Sequence, residues 1–176
     1  QEIAPVQDYL TKRLYLKNHH QFSFWVTGVG MVHTTYQLTR KMTAEKPDLA
    51  IQAGIAGSFH PLFAPGAVVA IKEEIMGDLG VEENHDWKDI YDLKLADPHL
   101  FPFIDRKLVN PHIQLLQKIN LPLITAVSVN EITTSEQRIQ QLIRHYSPVT
   151  ESMEGAAFHY VCLQEGIPFI QIRSIS

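Results

Sequence analysis

Cysteine is almost missing from this chain, which removes a whole class of architectures at once. Cys162 stands alone among 176 residues, so no intrachain disulfide forms and no thiolate set is present to hold zinc. A run of apolar residues long enough to cross a bilayer is also lacking, as is a basic segment leading into an apolar one. Excess positive charge is absent too. The formal charge is -4 with a pI near 6.1, and the Lys and Arg residues are scattered rather than clustered. Such a surface offers no field to attract nucleic acid or an anionic membrane. The cytoplasm is therefore the expected compartment, with neither nucleic acid nor membrane as a partner.

Several site patterns are missing as well. The nine histidines include no His-x-His and no His-Glu-x-x-His, and His19 and His20 are adjacent, pointing to opposite faces of an extended chain. No metal and no cofactor are expected. Ser58 and Ser128 lack the Gly-x-Ser-x-Gly setting of a serine nucleophile. Gly28-Val29-Gly30 resembles the opening of a dinucleotide fingerprint, but His33 occupies the place of its third glycine.

What is present is a globular composition, 45% hydrophobic and 19% charged, which fits one domain over residues 1–176. That domain reads as truncated at both ends: it opens on Gln1-Glu2-Ile3 without an initiating Met and stops at Ser176 inside an apolar, strand-like run. Along it, strand and helix patterns alternate. Strands are predicted over Phe22–Thr27, Leu49–Ala53, Gly66–Glu73, Leu123–Val129 and Ile167–Ile175. Helices are predicted over Met31–Lys46, Pro111–Ile119, Ser135–His145 (with Arg138 and Arg144 facing out) and Glu154–Glu165. Gly54-Ile55-Ala56-Gly57 reads as a turn or backbone cradle at a strand end. Residues 77–111 read as a long surface excursion whose acidic side chains face solvent. The alternation predicts a three-layer α/β domain, a mixed and largely parallel central sheet flanked by helices. In such sheets ligands bind beyond the carboxyl ends of strands, where glycines admit the backbone.

The stretch Glu151-Ser152-Met153-Glu154-Gly155-Ala156-Ala157 stands where a loop becomes a helix. A carboxylate there is favoured by the helix dipole. It serves either as support for the helix start or, with Met153 as an apolar face beside it, as a grip for a ribose. Cys162 lies inside an apolar helical pattern and reads as a small buried hydrophobe.

Together with Val29-Gly30-Met31-Val32, Gly54-Ile55-Ala56-Gly57-Ser58, Val127-Ser128 and Ile172-Arg173-Ser174-Ile175-Ser176, this stretch resembles, in order and spacing, the nucleoside phosphorylase and nucleosidase superfamily. Within it, Asp78-Leu79-Gly80-Val81-Glu82 looks more like the branch that hydrolyses futalosine in menaquinone biosynthesis than the branch acting on 5′-methylthioadenosine and S-adenosylhomocysteine. The latter normally carries Ser or Thr where Ile55 stands. The resemblance implies hydrolysis of the N-glycosidic bond of futalosine or aminofutalosine, with water as co-substrate. It assigns Glu154 to the ribose hydroxyls, Met153 to the sugar face and Glu2 to activation of the water. It sets Ile55, Gly57, Val129 and Ile132 around the substrate, with Ile132 where the nucleosidases place a stacking Phe. The proton donor to the purine would follow Ser176. A homo-oligomer is implied as well. The alternatives are a methylthioadenosine/adenosylhomocysteine nucleosidase, a purine nucleoside phosphorylase using Arg40 or Arg173 for phosphate, and a nucleoside-binding module without catalysis.

Overall fold

The computed structural model describes residues 4–14, 21–84 and 86–176. Helix α1 (Ala4–Leu14) comes first and α2 (Met31–Glu45) second. Gly28 and Gly30, at φ +83° and +85°, form the turn into α2, a backbone region that costs glycine little. Thr34, Leu38 and Met42 recur at every fourth position and give α2 its buried face. The helix closes at Lys46 in the left-handed conformation, whose N–H donates to the Met42 carbonyl (2.9 Å), just before Pro47.

Strands β1 (Ala50–Ser58), β2 (Val68–Met76), β5 (Lys107–Val109), β6 (Leu123–Ser128), β7 (Thr150–Ser152) and β8 (Phe169–Ile175) form one mixed sheet in the order β5-β2-β6-β7-β1-β8. The long registers are parallel, β1 on β8 from Ala50↔Phe169 to Ala56↔Ile175 and β2 on β6 from Ala70↔Leu123 to Met76↔Ser128. An antiparallel pairing of β2 with β8, from Val68↔Ser174 to Ile71↔Gln171, curls the sheet back on itself. A separate hairpin joins β3 (Gly80–Glu83) to β4 (Asp86–Asp89). The remaining helices are α3 (Ile113–Lys118), α4 (Glu136–Tyr146) and α5 (Gly155–Glu165). None of the described helices is long and apolar enough to cross a membrane.

Helix α5 is buried nearly all round. Phe158, Val161 and Cys162 pack with Leu38 and Met42 of α2 and with Phe169 of β8 in one apolar cluster. Burial drives the Cys162 thiol far above its ordinary range, so it behaves as the small hydrophobe its setting suggests. His159 is fully buried on the same helix, with Nδ1 2.9 Å from the Leu108 carbonyl, and burial pushes its pKa down to about 4. A histidine held neutral in the fold but titrating near 6.5 when unfolded adds stability above pH 6.5 and loses it as pH falls towards 4. The stability gap between the wild type and His159→Gln therefore shrinks by up to about 3 kcal/mol across that window. Urea unfolding of both proteins at pH 7 and pH 4.5 measures it.

Four expectations are corrected. Residues 22–27 form no strand; they join none of the sheet's ladders, and Val26 is 80% exposed. Gly54-Ile55-Ala56-Gly57 is not a turn. β8 pairs with β1 up to Ala56 and β7 takes over at Gly57 and Ser58, so hydrogen bonds carry the strand straight through the glycines. Arg138 does not face out. Its guanidinium lies 4.4 Å over the Trp87 ring and donates to the Gly77 carbonyl (2.8 Å) and Gln141 Oε1 (2.5 Å), because the 77–89 segment folds back onto α4. Nor is that segment's acidity only a solvated face. Asp89 Oδ1 accepts the amides of Tyr91 and Asp92, and Arg106 Nη1 bridges Asp89 (3.0 Å) and Asp92 (2.8 Å).

Candidate active site

β7 ends at Ser152 and α5 begins at Gly155, which makes Met153 and Glu154 the corner between them. Glu154 occupies the position just before the helix, yet its side chain bonds no amide of α5. Oε1 instead accepts the Gly30 N–H (3.1 Å), at the turn that opens α2, and Oε2 lies 3.6 Å from Arg173 Nη1. A helix-capping carboxylate would bond the second or third amide of its own helix. Glu154 therefore makes no capping hydrogen bond to α5, and the carboxylate is held in place from two other elements.

Arg173 supplies the positive charge from inside the sheet. Its side chain is 4% exposed, against 19% for that of Glu154. Nη2 donates to Gln52 Oε1 (3.0 Å) and Nη1 to the Ile55 carbonyl (3.3 Å), which ties β8 to β1 directly beneath Glu154. Sequence reasoning considered Arg173 only as a phosphate ligand and missed this role. A charged residue within the apolar run Phe169–Ile175 was the available signal, since buried arginines are almost always paired.

A second carboxylate lies deeper. Glu74 of β2 is fully buried; Oε1 accepts Gln171 Nε2 (2.8 Å) and Oε2 accepts Ser128 Oγ (3.0 Å). Burial pushes its pKa up to about 7, against the hydrogen bond from Gln171, the charge of Arg173 and the hydrogen bond from Ser128; Glu154 raises it further. None of this was visible as a motif, because its members come from β2, β6 and β8.

The other predicted positions fall as follows. Val129 is buried, and its N–H donates to the Ser152 carbonyl (2.9 Å), so the exits of β6 and β7 lie side by side. Met153 is half-buried at the corner. Buried Glu151 accepts the Thr133 N–H (2.8 Å) and so fastens the loop that carries Ile132, itself 66% exposed. The Ile55 carbonyl and Glu154 share Arg173 as a partner, and Gly57 lies further along β1, opposite Glu151. Glu2 lies outside the described residues. Away from this corner, Asp89, Asp92 and His145 place one ligand atom each within 4.8 Å of one another, a convergence invisible to sequence spacing. Arg106 already supplies that cluster with a cation.

A family model described as the phosphorylase superfamily matches residues 5–176. The chain belongs to the phosphorylase superfamily. Among curated relatives, it is 25% identical to futalosine hydrolase from Thermus thermophilus, over 88% of this chain and 68% of that protein. It is also 25% identical to the 5′-methylthioadenosine/S-adenosylhomocysteine nucleosidase of an Exiguobacterium species, over 100% of this chain and 80% of that protein. The fold matches the native futalosine hydrolase of Helicobacter pylori with a TM-score of 0.67 at 19% identity, covering 85% of this chain and 66% of that one. Helicobacter pylori MTAN superposes equally well, at TM-score 0.68 and 18% identity over 85% and 67% of the two chains. The mixed α/β architecture expected from the sequence is thus that of its superfamily.

Proposed function

We propose that this protein hydrolyses the N-glycosidic bond of a purine nucleoside, with futalosine or aminofutalosine as substrate. The chain is a nucleosidase of its superfamily, and the observation that carries its chemistry is Glu154. Its carboxylate caps no helix amide, is fixed by the Gly30 N–H and Arg173, and stays partly open to solvent beside Met153. Cleavage proceeds through positive charge on the ribose ring. An anionic acceptor for the ribose hydroxyls strengthens as that charge develops, which lowers the barrier rather than only tightening binding. Met153 offers the sugar an apolar face, Glu2 activates the water, and the purine lies against residues 129–132.

Futalosine is favoured by the Asp78-Leu79-Gly80-Val81-Glu82 motif and by its position. Asp78 accepts both the backbone N–H (2.5 Å) and the side-chain amide of Asn130, so the motif is bonded to the loop leaving β6. Water rather than phosphate is favoured because Arg173 is already committed and Arg40, ten residues beyond Gly30 on α2, stands roughly 15 Å of helix rise away from the Glu154 carboxylate. Arg173 is buried and bonded to Glu154, Gln52 and Ile55, while Arg40 lies on α2 with its guanidinium 5.5 Å from the Tyr36 ring. A place in menaquinone biosynthesis, a cytoplasmic location and a homo-oligomeric state belong to the same reading.

The test is release of free purine with and without phosphate, with futalosine, aminofutalosine and methylthioadenosine competing in one reaction. The expected result is phosphate-independent turnover with the futalosine pair preferred. Turnover that requires phosphate overturns hydrolysis, and preference for methylthioadenosine overturns the substrate.

A further inference from the structure

We propose that Glu74 is a positioning residue for this site, fixing the start of α5 and through it the Glu154 carboxylate. The inference rests on the reading of Glu154 as the ribose acceptor and goes beyond it to the group that holds it in place.

The hydrogen bonds form one connected chain. Ser128 Oγ accepts the Ala156 N–H (2.7 Å), the second amide of α5, so its own proton is free to point to Glu74 Oε2 (3.0 Å). The carboxylate therefore reaches the helix start through one hydroxyl. Its other oxygen accepts Gln171 Nε2, and Gln171 lies two residues before Arg173 on the same strand face. One buried carboxylate thus joins β2, β6, β8 and the first turn of α5, the elements that deliver Glu154 and its partner Arg173.

Close packing makes the link rigid. A Cβ on Gly155 would overlap Glu74 Oε1 and come within 2.5 Å of Gln171 Nε2, so the backbone of the residue after Glu154 rests directly on the carboxylate. That oxygen has no easy retreat, being bonded to Gln171 inside the sheet. The hydrogen bonds from Gln171 and Ser128 favour the ionised form, which burial disfavours. An apolar side chain would fill this interior at lower cost but would leave Ser128 and Gln171 without an acceptor, and Ala156 N–H attached to an unanchored hydroxyl.

The experiment is a double-mutant cycle on the protein with futalosine and methylthioadenosine, run well below the unfolding midpoint. Glu74→Gln and Ser128→Ala are each combined with Glu154→Gln. Each of the first two alone is expected to lower kcat/KM at least tenfold, with the loss in kcat, and to add almost nothing in the Glu154→Gln background. Ser128→Ala keeps the cycle informative if Glu74→Gln does not fold. A lowered Tm with unchanged kcat/KM overturns the proposal, as does a loss that adds in full to that of Glu154→Gln. Wild-type kinetics in Glu154→Gln itself would sink the ribose assignment and this inference with it. Loss in that variant with unaltered Glu74→Gln and Ser128→Ala overturns the positioning role alone.

Discussion

Glu154→Gln is expected to lower kcat/KM for futalosine by about 10²–10³-fold while the protein keeps its fold, a loss of the size seen when one preorganised transition-state contact is removed. Glutamine keeps the length and shape of the side chain and still presents an oxygen to the Gly30 N–H, which lies 3.1 Å from Oε1 in the native site. What it lacks is the charge. A neutral amide accepts hydrogen bonds from ribose hydroxyls more weakly, and it no longer opposes the positive charge that builds on the ring as the bond breaks. The effect therefore falls on kcat as well as on KM. Steady-state kinetics with far-ultraviolet circular dichroism on the same samples check both halves of the statement. Unchanged kinetics would remove Glu154 from the chemistry.

Arg173→Met is expected to produce the largest loss of stability, about 3 kcal/mol, because it removes a buried guanidinium and leaves Glu154, Gln52 and the Ile55 carbonyl without their shared donor. In a chain of this size that corresponds to roughly 10 °C in Tm. Methionine fills much of the volume, so the loss is electrostatic. Glu154 Oε2 loses its cation, and Gln52 Oε1 and the Ile55 carbonyl lose their donor in the seam between β1 and β8. Arg173→Lys recovers only part of this, since one ammonium cannot span three acceptors that a planar guanidinium reaches together. Thermal unfolding of wild type, Arg173→Met and Arg173→Lys gives the ranking. A change in Tm below about 2 °C for Arg173→Met would mean that Arg173 is not the anchor of the site.

Both predictions concern residues that differed greatly in how legible they were. Glu154 announced itself through its neighbours, a methionine and a run of small residues at a helix start, and the family resemblance added a task for it. Arg173 was legible only as a charged residue in an apolar strand. Glu74 carried no signal, because it is one of two adjacent glutamates, and its neighbour Glu73 faces Lys107 and Thr125 at 15% side-chain exposure. Which of the two points inward depends on the register of β2 against β6, where the pairing shifts between Ile71 and Glu73. No local pattern encodes that shift.

Helices α2 to α5 were predicted for a local reason, whereas α1 (Ala4–Leu14) was missed. The inward spacing of Leu38 and Met42, the Ser135 cap of α4 and the Gly166 stop of α5 all act within a few residues of chain. The strands were less secure where their partners decide the outcome: 22–27 has the composition of a strand and joins no ladder, while Gly54–Gly57 has the composition of a turn and continues one. Composition, order in the chain and the resemblance of its motifs were thus enough for the α/β class and the superfamily, and they singled out the corner at Glu154. Only the folded arrangement decided that this carboxylate leaves its own helix for Gly30 and Arg173, and that a second carboxylate lies beneath it. The reason is distance along the chain. Glu154 meets Gly30 across 124 residues, and Glu74 meets Gln171 across 97, so those contacts follow from sheet register and close packing rather than from any neighbouring residues.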